Sequence, residues 1–332
     1  MTTSIYSLSI SARAVLNMHS LNNEGGEGNQ IQTRMVEVIY YDSEGKPKHE
    51  SVNAISGDML KHIQAEHLQR IAVERELPLC APCRKFDANR ISADADYLEA
   101  IVGKTNVDAV NQMLQRCTLD DLEGILVTAD AKSKRSIPRK SVAEFGWVIG
   151  VPGLVSTDTY FHVKYANERG EGAAAGVGSS ANQGQTPFHR PASSGVYAIV
   201  CNFEIGRIGY NDITQDYASG VNRTARYKAL LESALYTFVQ LNGAMRNTQL
   251  PHLTAFHGVV AISHGVAPAP TVSPLNPEFV GEIQRTQTAL NHLHGGEMIA
   301  LYPFADLAAF AEVISDLIQT TEPYTLNVGR PS

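Results

Sequence analysis

Alternating hydrophobic and polar residues near the start of the chain predict its first strand. In residues 5–15, apolar side chains alternate with polar ones, the period-two pattern of a strand with one face in the core. A glycine-rich loop at 22–29 follows, and a second strand begins at Arg34. The polar positions of the first strand are Ser7, Ser9, Ser11 and Arg13.

Residues 53–68 predict the start of a helix. Ser56 can cap the free N–H groups of the first turn, and Gly57 permits another backbone to approach closely. Lys61 and His62 follow near that turn, where the positive end of the helix dipole favours an anion. The helix start is therefore a candidate phosphate site, although a Ser-Gly pair also serves as a plain helix cap.

The later part of the chain predicts further strands and helices, interrupted by a proline-rich loop. The predicted elements are a strand at 195–205, a helix at 223–241, a strand at 253–263, the loop at 268–277, a helix at 279–293, a strand at 298–302 and a helix at 305–319. Together with the N-terminal part they predict an α+β fold with a ferredoxin-like sheet. Helices are expected on one face of that sheet, which leaves the polar face open, as in RNA-recognition modules.

Composition narrows the class of protein. With 332 residues, 43% hydrophobic content and 18% charge, the chain is expected to be a soluble globular protein of one elaborated domain or two. A net charge of −7 argues against non-specific coating of nucleic acid but permits a local basic groove. Four cysteines are too few for a disulfide framework, so a reducing cytoplasm is expected. No apolar run is long enough to predict a membrane partner.

The stretch 132–140 is the strongest electrostatic signal for nucleic acid. It holds five cations and no acid, and the proline after Ile137 favours an extended backbone that could follow a phosphate chain. Taken by itself, such a stretch is more often an ordinary solvated loop, and contact of Arg139 with nucleic acid is the alternative.

A cysteine pattern in the poorly periodic region 75–155 suggests a metal. Cys80 and Cys83 form a Cys-x-x-Cys knuckle, and Cys117 begins a Cys-x-x-Asp sequence in place of a second knuckle. Two Cys-x-x-Cys knuckles would indicate structural zinc. Zinc through these three cysteines is one interpretation, and a cluster of reduced thiols is the other.

Residues 157–191 form a second insertion, read as a long hairpin whose tip lies at 170–184. The glycine- and alanine-rich tip cannot bury a core. Phe188, followed by His189 and Arg190, can stack between bases, since aromatic rings stack on any base. It can equally anchor the base of the hairpin in the core.

The order of these segments resembles a known family. Residues 9–13, the glycine loop, residues 53–61, the stretch from Gln185 to Tyr197 and residues 205–209 are similar, in consistent order, to the DevR-like backbone subunit of type I Cascade complexes. This is the seventh Cas family, in the RAMP superfamily of CRISPR proteins.

The resemblance implies a fold and a function. The fold is a modified RNA-recognition-motif palm at 1–74 and 192–332, with inserted fingers at 75–156 and a thumb hairpin at 157–191. The function is that of a non-catalytic subunit that binds CRISPR RNA, oligomerises along it beside other Cascade subunits, and frames pairing with target DNA. No cofactor is required, apart from a structural zinc ion that the cysteines could hold. The residues expected to contact RNA are Arg13, Arg34, Ser56, Gly57, Lys61, His62, Arg139, Phe188, His189, Arg190 and Arg246.

An enzymatic alternative comes from the same superfamily. Backbone subunits of type III complexes resemble this fold and cut target RNA with an aspartate in the early loop. Here that loop offers Asn22, Asn23, Glu24 and Glu27 but no aspartate, so a non-catalytic role is preferred. Either glutamate could substitute, which keeps an endoribonuclease as the alternative. A transcription regulator is the third hypothesis, and no helix-turn-helix is apparent.

Overall fold

The computed structural model of the protein describes residues 3–42, 44–129, 135–165 and 185–327. Two predictions therefore fall outside the described residues: the hairpin tip at 170–184, and Lys132 and Lys134 of the basic stretch. The described chain mixes helices and strands, as the sequence predicted. Across the described ranges, no helix combines the length and the apolar character needed to cross a membrane.

The strands and helices have the following bounds. The strands are β1 (Thr3–Ile5), β2 (Ser7–His19), β3 (Asn23–Glu27), β4 (Gln30–Thr33), β5 (Met35–Tyr41), β6 (Pro47–Ile55), β7 (Ile125–Ala129), β8 (Arg135–Arg139), β9 (Ala143–Phe145), β10 (Val148–Tyr165), β11 (Gln185–Phe203), β12 (Tyr210–Asn211), β13 (Asp216–Tyr217), β14 (His252–Ser263), β15 (Ile299–Phe304) and β16 (Thr321–Pro323). The helices are α1 (Gly57–Glu74), α2 (Ala81–Arg84), α3 (Ala95–Ala100), α4 (Asn106–Arg116), α5 (Thr118–Glu123), α6 (Arg223–Val239), α7 (Phe279–His294) and α8 (Leu307–Thr320).

One large sheet organises the fold. Its strand order is β15-β14-β2-β11-β10-β6-β5, with neighbours antiparallel. β2 is an interior strand, in which Ala12 pairs with Ile199 of β11 on one side and with Gly258 of β14 on the other. The predicted first strand is therefore present, and it extends to His19.

Helices α1, α6 and α8 contribute to the hydrophobic core on the apolar face of the sheet. Leu8 and Ile10 of β2 belong to the same buried cluster as the apolar residues of these helices. Phe256 of β14 stacks on Phe238 of α6 at 5.0 Å between ring centroids and meets Phe310 of α8 edge-on at 5.2 Å. Buried aromatic side chains of this kind contribute several kcal/mol each, on the order of 3–5 for Phe→Ala.

The polar face of β2 is covered, so the prediction that it is open to RNA was wrong. Ser9 Oγ donates to the Pro270 carbonyl at 2.7 Å, and Ser7 Oγ donates to the Ala267 carbonyl at 3.1 Å. The proline-rich segment crosses this face and continues into α7, whose Phe279 packs with Val259 in a second small core. Proline offers a carbonyl but no N–H, so serine hydroxyls are suitable partners for such a segment.

Helix α1 begins where the sequence placed it. The Ser56 side chain accepts from the Met59 N–H at 3.2 Å, and the Ser56 N–H donates to Asn22 Oδ1 at 2.8 Å. Gly57 is buried, and a Cβ at this position would collide with the Phe145 carbonyl oxygen. Glycine is therefore required here for close backbone approach.

The region between α1 and β10 contains short helices and the β7–β8 hairpin, and a buried charge network ties it to α6. Asp121 accepts from Arg139 Nη2 at 2.7 Å, from Arg226 Nη1 at 2.6 Å and from the Gly209 N–H at 3.0 Å. Both carboxylate oxygens thus have charged partners, and all three ionic side chains are buried. A buried carboxylate satisfied in this way can hold two separate segments in one register.

Beyond the sheet, β10 and β11 continue as a two-stranded ribbon. Its pairing runs from Thr157 opposite Ser193 to Tyr165 opposite Gln185. The hairpin β3–β4 packs against the ribbon. The His189 N–H of β11 donates to the Asn29 carbonyl at 2.8 Å. Most of this ribbon falls within residues 157–191, the segment for which the sequence predicts a hairpin.

Candidate nucleic-acid interface

A groove of about 690 Å³ lies where the ribbon meets α1 and the segment after α6. It joins three side chains that were assigned to RNA separately: His62 from α1, Arg190 from β11 and Arg246 from the later loop. The full lining is His62, Glu66, Phe86, Arg190, Asn242, Gly243, Met245, Arg246, Asn247 and Thr248. We call it the ribbon groove.

The loop 242–248 is held against the body of the protein by its backbone. The Ala244 N–H donates to the Leu21 carbonyl at 3.2 Å, and Gly243 packs so closely on Leu21 that a Cβ would not fit. Met245 has a φ of 57°, and its carbonyl accepts from the Gln249 N–H at 3.0 Å. The loop therefore presents Arg246 from a fixed turn.

The two arginines of the groove donate to neutral oxygen atoms. Arg190 Nη1 donates to Thr248 Oγ1 at 3.1 Å, and Arg246 donates to the amide oxygen of Asn242. Neither arginine pairs directly with a carboxylate within the described residues. Glu66 of the lining pairs with Arg70 and accepts from the Asn242 amide at 3.2 Å. Guanidinium groups without an acidic partner are suited to bind phosphate.

The ribbon adds aromatic rings next to the groove. Phe188 is half-buried and stacks on His162, its partner across the strands, with centroids 5.5 Å apart and planes 15° apart. The Arg190 guanidinium lies 4.6 Å from the centre of the Phe188 ring. On the opposite face, His189 is exposed and meets Phe161 edge-on. Phe188 thus lies on the ribbon and outside the buried core clusters of the described chain.

The helix-start phosphate site is not assembled as predicted. Gly57 is buried beneath a carbonyl, so the prediction of RNA contact at Gly57 was wrong, and Ser56 is occupied as a cap. Lys61 Nζ donates to Ser141 Oγ at 2.7 Å, and burial lowers the pKa of Lys61. His62 alone among these four residues faces the ribbon groove.

Arg139 lies inside the protein and away from the ribbon groove. Its guanidinium is buried and donates to Asp121 Oδ1 and to the Tyr210 and Arg207 carbonyls, each at 2.7 Å. The prediction that Arg139 contacts RNA was wrong, because its donors are used inside the protein. The density of cations in the sequence does not reveal which of them has a buried acidic partner.

Arg13 and Arg34 also have protein partners. Arg13 Nε donates to the Pro274 carbonyl at 2.9 Å, beneath the segment that covers the polar face of the sheet. Arg34 pairs with Glu24 and lies 5.3 Å from the Trp147 ring centre. Glu24 is one of the two residues on which the endoribonuclease alternative depends, and its carboxylate is engaged by this arginine.

The predicted cysteines meet in one buried cluster, and Asp120 joins them. Donor atoms of Cys80, Cys83, Cys117 and Asp120 all lie within 4.8 Å of one another. Asp120 Oδ2 is 3.5 Å from the sulfur atoms of both Cys80 and Cys83. Tetrahedral zinc with Zn–S of about 2.3 Å and Zn–O of about 2.0 Å needs a sulfur–oxygen separation of about 3.5 Å, so this donor set fits the metal.

The same cluster is electrostatically unfavourable without a cation. Burial raises the pKa of Asp120 to about 8 and also raises the pKa of the Cys117 thiol. Arg90 Nε, at 3.2 Å from Asp120 Oδ1, is the nearby cation that opposes this effect. A divalent metal ion would stabilise the deprotonated ligands together.

Two parts of the interface were missed by sequence reasoning. Phe86 lines the groove and its ring lies 5.3 Å from that of His62, yet it belongs to no periodic segment. Thr248, which accepts from Arg190, lies in an irregular loop. The one available signal was that Phe86 follows Cys83 by three residues, which would place it beside any metal knuckle.

Comparison with known proteins gives sequence matches over most of the chain. Residues 10–284 match the family described as CRISPR-associated negative auto-regulator DevR/Csa2. A curated relative, CRISPR-associated protein Cas7/Csa2 1 of Saccharolobus solfataricus, is 24% identical over 286 residues, which is 84% of this chain and 83% of the relative.

Comparison with solved structures gives matches of lower sequence identity. A chain from a CRISPR RNA-guided surveillance complex is 13% identical, with a TM-score of 0.48 over 94% of this chain and 98% of that one. A chain from a pre-nicking surveillance complex gives a TM-score of 0.47 at 13% identity, over 96% of each chain. Thermofilum pendens Csc2 gives 0.39 at 12% identity, over 95% of this chain and 85% of that one.

Proposed function

Since the chain belongs to the DevR/Csa2 family of CRISPR-associated proteins, we propose that it is a non-catalytic subunit that binds guide RNA in a type I CRISPR surveillance complex. The family that the sequence resembled is thereby confirmed. Several copies bind side by side along one CRISPR RNA, in contact with other subunits of the complex. The guide selects target DNA by base pairing, and the protein frames the heteroduplex without reading its sequence.

The observation that carries this proposal is the pair of arginines in the ribbon groove that have no directly paired carboxylate within the described residues. Arg190 and Arg246 bind the phosphate backbone, and His62 lines the same groove. Phe188 and His162 supply ring surfaces beside the groove for unstacked bases. Phosphate binding and stacking are both tolerant of base identity, as binding must be when guides differ in sequence.

The strand order supports a ferredoxin-like palm. β2, β10, β11 and β14 lie in the sheet order β14-β2-β11-β10, with α1 preceding β10 and α6 following β11 in the chain. This is the arrangement of a βαββαβ unit. We assign residues 1–74 and 192–332 to the palm, 75–156 to fingers and 157–191 to a thumb.

RNA retention tests the proposal. The protein is co-expressed with a CRISPR array, and the bound RNA is sized and its affinity is measured at several salt concentrations. Arg190→Ala and Arg246→Ala should each weaken binding about tenfold, and each should reduce the salt slope by about 0.7, the value for one phosphate contact on a single strand. Arg285→Ala on the exposed face of α7 is the matched control and should leave both quantities unchanged.

Two results would contradict the proposal. One is a metal-loaded protein that purifies as a monomer without RNA although the array is expressed. The other is equal loss of affinity in the Arg285 control and in the groove variants. A non-catalytic role further predicts that bound complementary RNA stays intact in magnesium, and cleavage abolished by Glu24→Ala or Glu27→Ala would favour the endoribonuclease instead.

We also propose that Cys80, Cys83, Cys117 and Asp120 bind one structural zinc ion. When bound, the ion neutralises the buried anionic ligands and cross-links α2 to the start of α5. Mass spectrometry of the purified protein should find one zinc per chain. Cys83→Ser should lose the zinc, and the matched variant of the separate buried thiol, Cys201→Ser, should keep it.

A further inference from the structure

Phe86 connects the cysteine cluster to the ribbon groove through a short, defined turn. The Arg84 N–H donates to the Cys80 carbonyl and the Phe86 N–H donates to the Cys83 carbonyl, each at 3.0 Å. Phe86 itself has a φ of 55°, a left-handed conformation that a bulky residue rarely adopts. Such strain persists only where the surroundings fix the backbone, and strained residues concentrate at functional sites.

The ring that leaves this turn contacts the wall of the groove. Phe86 is half-buried, and its centroid lies 5.3 Å from that of His62 on α1. It lines the ribbon groove, and it also lines a second cavity of about 260 Å³ that Cys83 borders. The turn that contains Cys80 and Cys83 also contacts α1 by a hydrogen bond. Gln69 Nε2 of α1 donates to the Arg84 carbonyl at 2.9 Å.

We propose that Phe86 is a positioning residue that couples metal binding at the cysteine cluster to RNA binding in the ribbon groove. The inference rests on the proposed function of that groove and on the donor set of the cluster. Bonds from the Cys80 and Cys83 sulfurs to one ion fix the turn between them, and the turn fixes the left-handed residue that follows. With the turn fixed, Phe86 holds His62 at the groove.

Loss of the metal frees this turn. Phe86 can then relax from its left-handed conformation and withdraw from His62, so one wall of the groove loses its support. Arg190 and Arg246 are held by other contacts, with Thr248 and Asn242, and keep their positions. Loss of the metal therefore weakens RNA binding, while the contacts between the two arginines and phosphate remain.

A double-perturbation cycle tests the coupling. RNA affinity is measured for the full chain and for Phe86→Ala, each with and without a zinc-selective chelator, at constant magnesium. Metal content and melting temperature are recorded for every sample. Metal removal should weaken RNA binding by wild type about tenfold, and Phe86→Ala should cause a similar loss while keeping its zinc. Metal removal from Phe86→Ala should then add less than about twofold, because coupled effects are not additive.

The outcomes separate this inference from the proposed function. Additive losses, or RNA binding by wild type that is indifferent to chelation, would overturn the coupling and leave the groove assignment intact. Metal-loaded wild type that binds no RNA would overturn both. If Phe86→Ala does not fold, His62→Ala replaces it as the other half of the ring contact, with the same non-additive result expected. Tyr41→Ala, an exposed aromatic on the edge strand β5, is the control and should respond to chelation like wild type.

Discussion

Replacing Arg139 by alanine is expected to destabilise the protein before any RNA is present. The arginine is buried, and its donors satisfy the Asp121 carboxylate and the carbonyls of Tyr210 and Arg207. Its removal leaves Asp121 with Arg226 as the remaining charged partner. The substitution also takes a donor from the backbone carbonyls of Tyr210, Arg207 and Asp121.

The magnitude follows from the loss of a buried ion pair. Removing one partner of such a pair costs about 3–5 kcal/mol, against a typical total stability of about 5–15 kcal/mol for a folded protein. With a urea m-value of about 3 kcal/mol/M, the unfolding midpoint should fall by about 1–1.7 M. Urea unfolding followed by circular dichroism of the RNA-free protein measures this change.

The neighbouring cation provides the matched control. Lys140 is about half exposed and pairs with Glu144 and Glu204 at the surface, so Lys140→Ala should cost less than about 1 kcal/mol. Equal midpoints for the two variants, together with a selective loss of RNA binding in Arg139→Ala, would refute the structural role and restore Arg139 to the RNA interface.

Further predictions concern one ring and two buried titratable groups. Phe188→Ala should leave the melting temperature of the RNA-free protein unchanged and weaken guide binding by about 1–3 kcal/mol, the cost of one stacked base; a large drop in melting temperature would contradict this. Burial lowers the pKa of His19 from 6.5 to about 4, so the unfolded state binds more protons and stability should fall as pH decreases from about 6.5 to 4. His19→Gln should remove about 3 kcal/mol of that loss in pH-dependent urea unfolding, and an unchanged pH profile would refute the assignment. Burial raises the pKa of Glu123 from 4.5 to about 7, so its charge should destabilise the fold as pH rises through this range. Glu123→Gln should therefore increase the urea midpoint at pH 8 and leave it unchanged at pH 4.

Periodicity identified the four longest helices and several strands of the main sheet. Helix α1 has the predicted cap at Ser56, and the helices predicted at 223–241, 279–293 and 305–319 correspond to α6, α7 and α8 within a few residues. These elements are amphipathic or locally capped. The sequence features that predict them therefore lie within the element itself or in the residues next to it. The alternation near the start of the chain likewise predicted β2.

Local periodicity does not show which distant segment packs on a given face of a strand. The serines of β2 were predicted to face solvent. In the structure, Ser7 and Ser9 donate to carbonyls of a distant proline-rich segment. Arg139 was misjudged for the same reason, because its burial depends on Asp121 and on residues near Tyr210. Long-range pairing decided both cases, and a single sequence does not record it.

In the candidate sites, too, local sequence identified individual residues, and long-range contacts determined how they come together. His62, Arg190 and Arg246 were each named from local residue type, and tertiary structure joined them in one groove. The three cysteines were predicted from their spacing, while Asp120 was recognised only as an imperfect fourth position. Phe86 could not be placed, since its role depends on the left-handed turn that follows Cys83.

The position of β2 in the sheet also determines when the fold can form during synthesis. Ala12 finds its partners at Ile199 and Gly258, so the first long strand is made well before either neighbour exists. At about 5–20 residues per second, β2 waits on the order of ten seconds or longer for its first pairing strand. During that interval its apolar side has no sheet to join, while α1 can form locally soon after it is made. Folding of the main sheet is therefore largely a late event, and a ribosome-bound chain stopped before residue 185 should remain accessible to chaperones along β2.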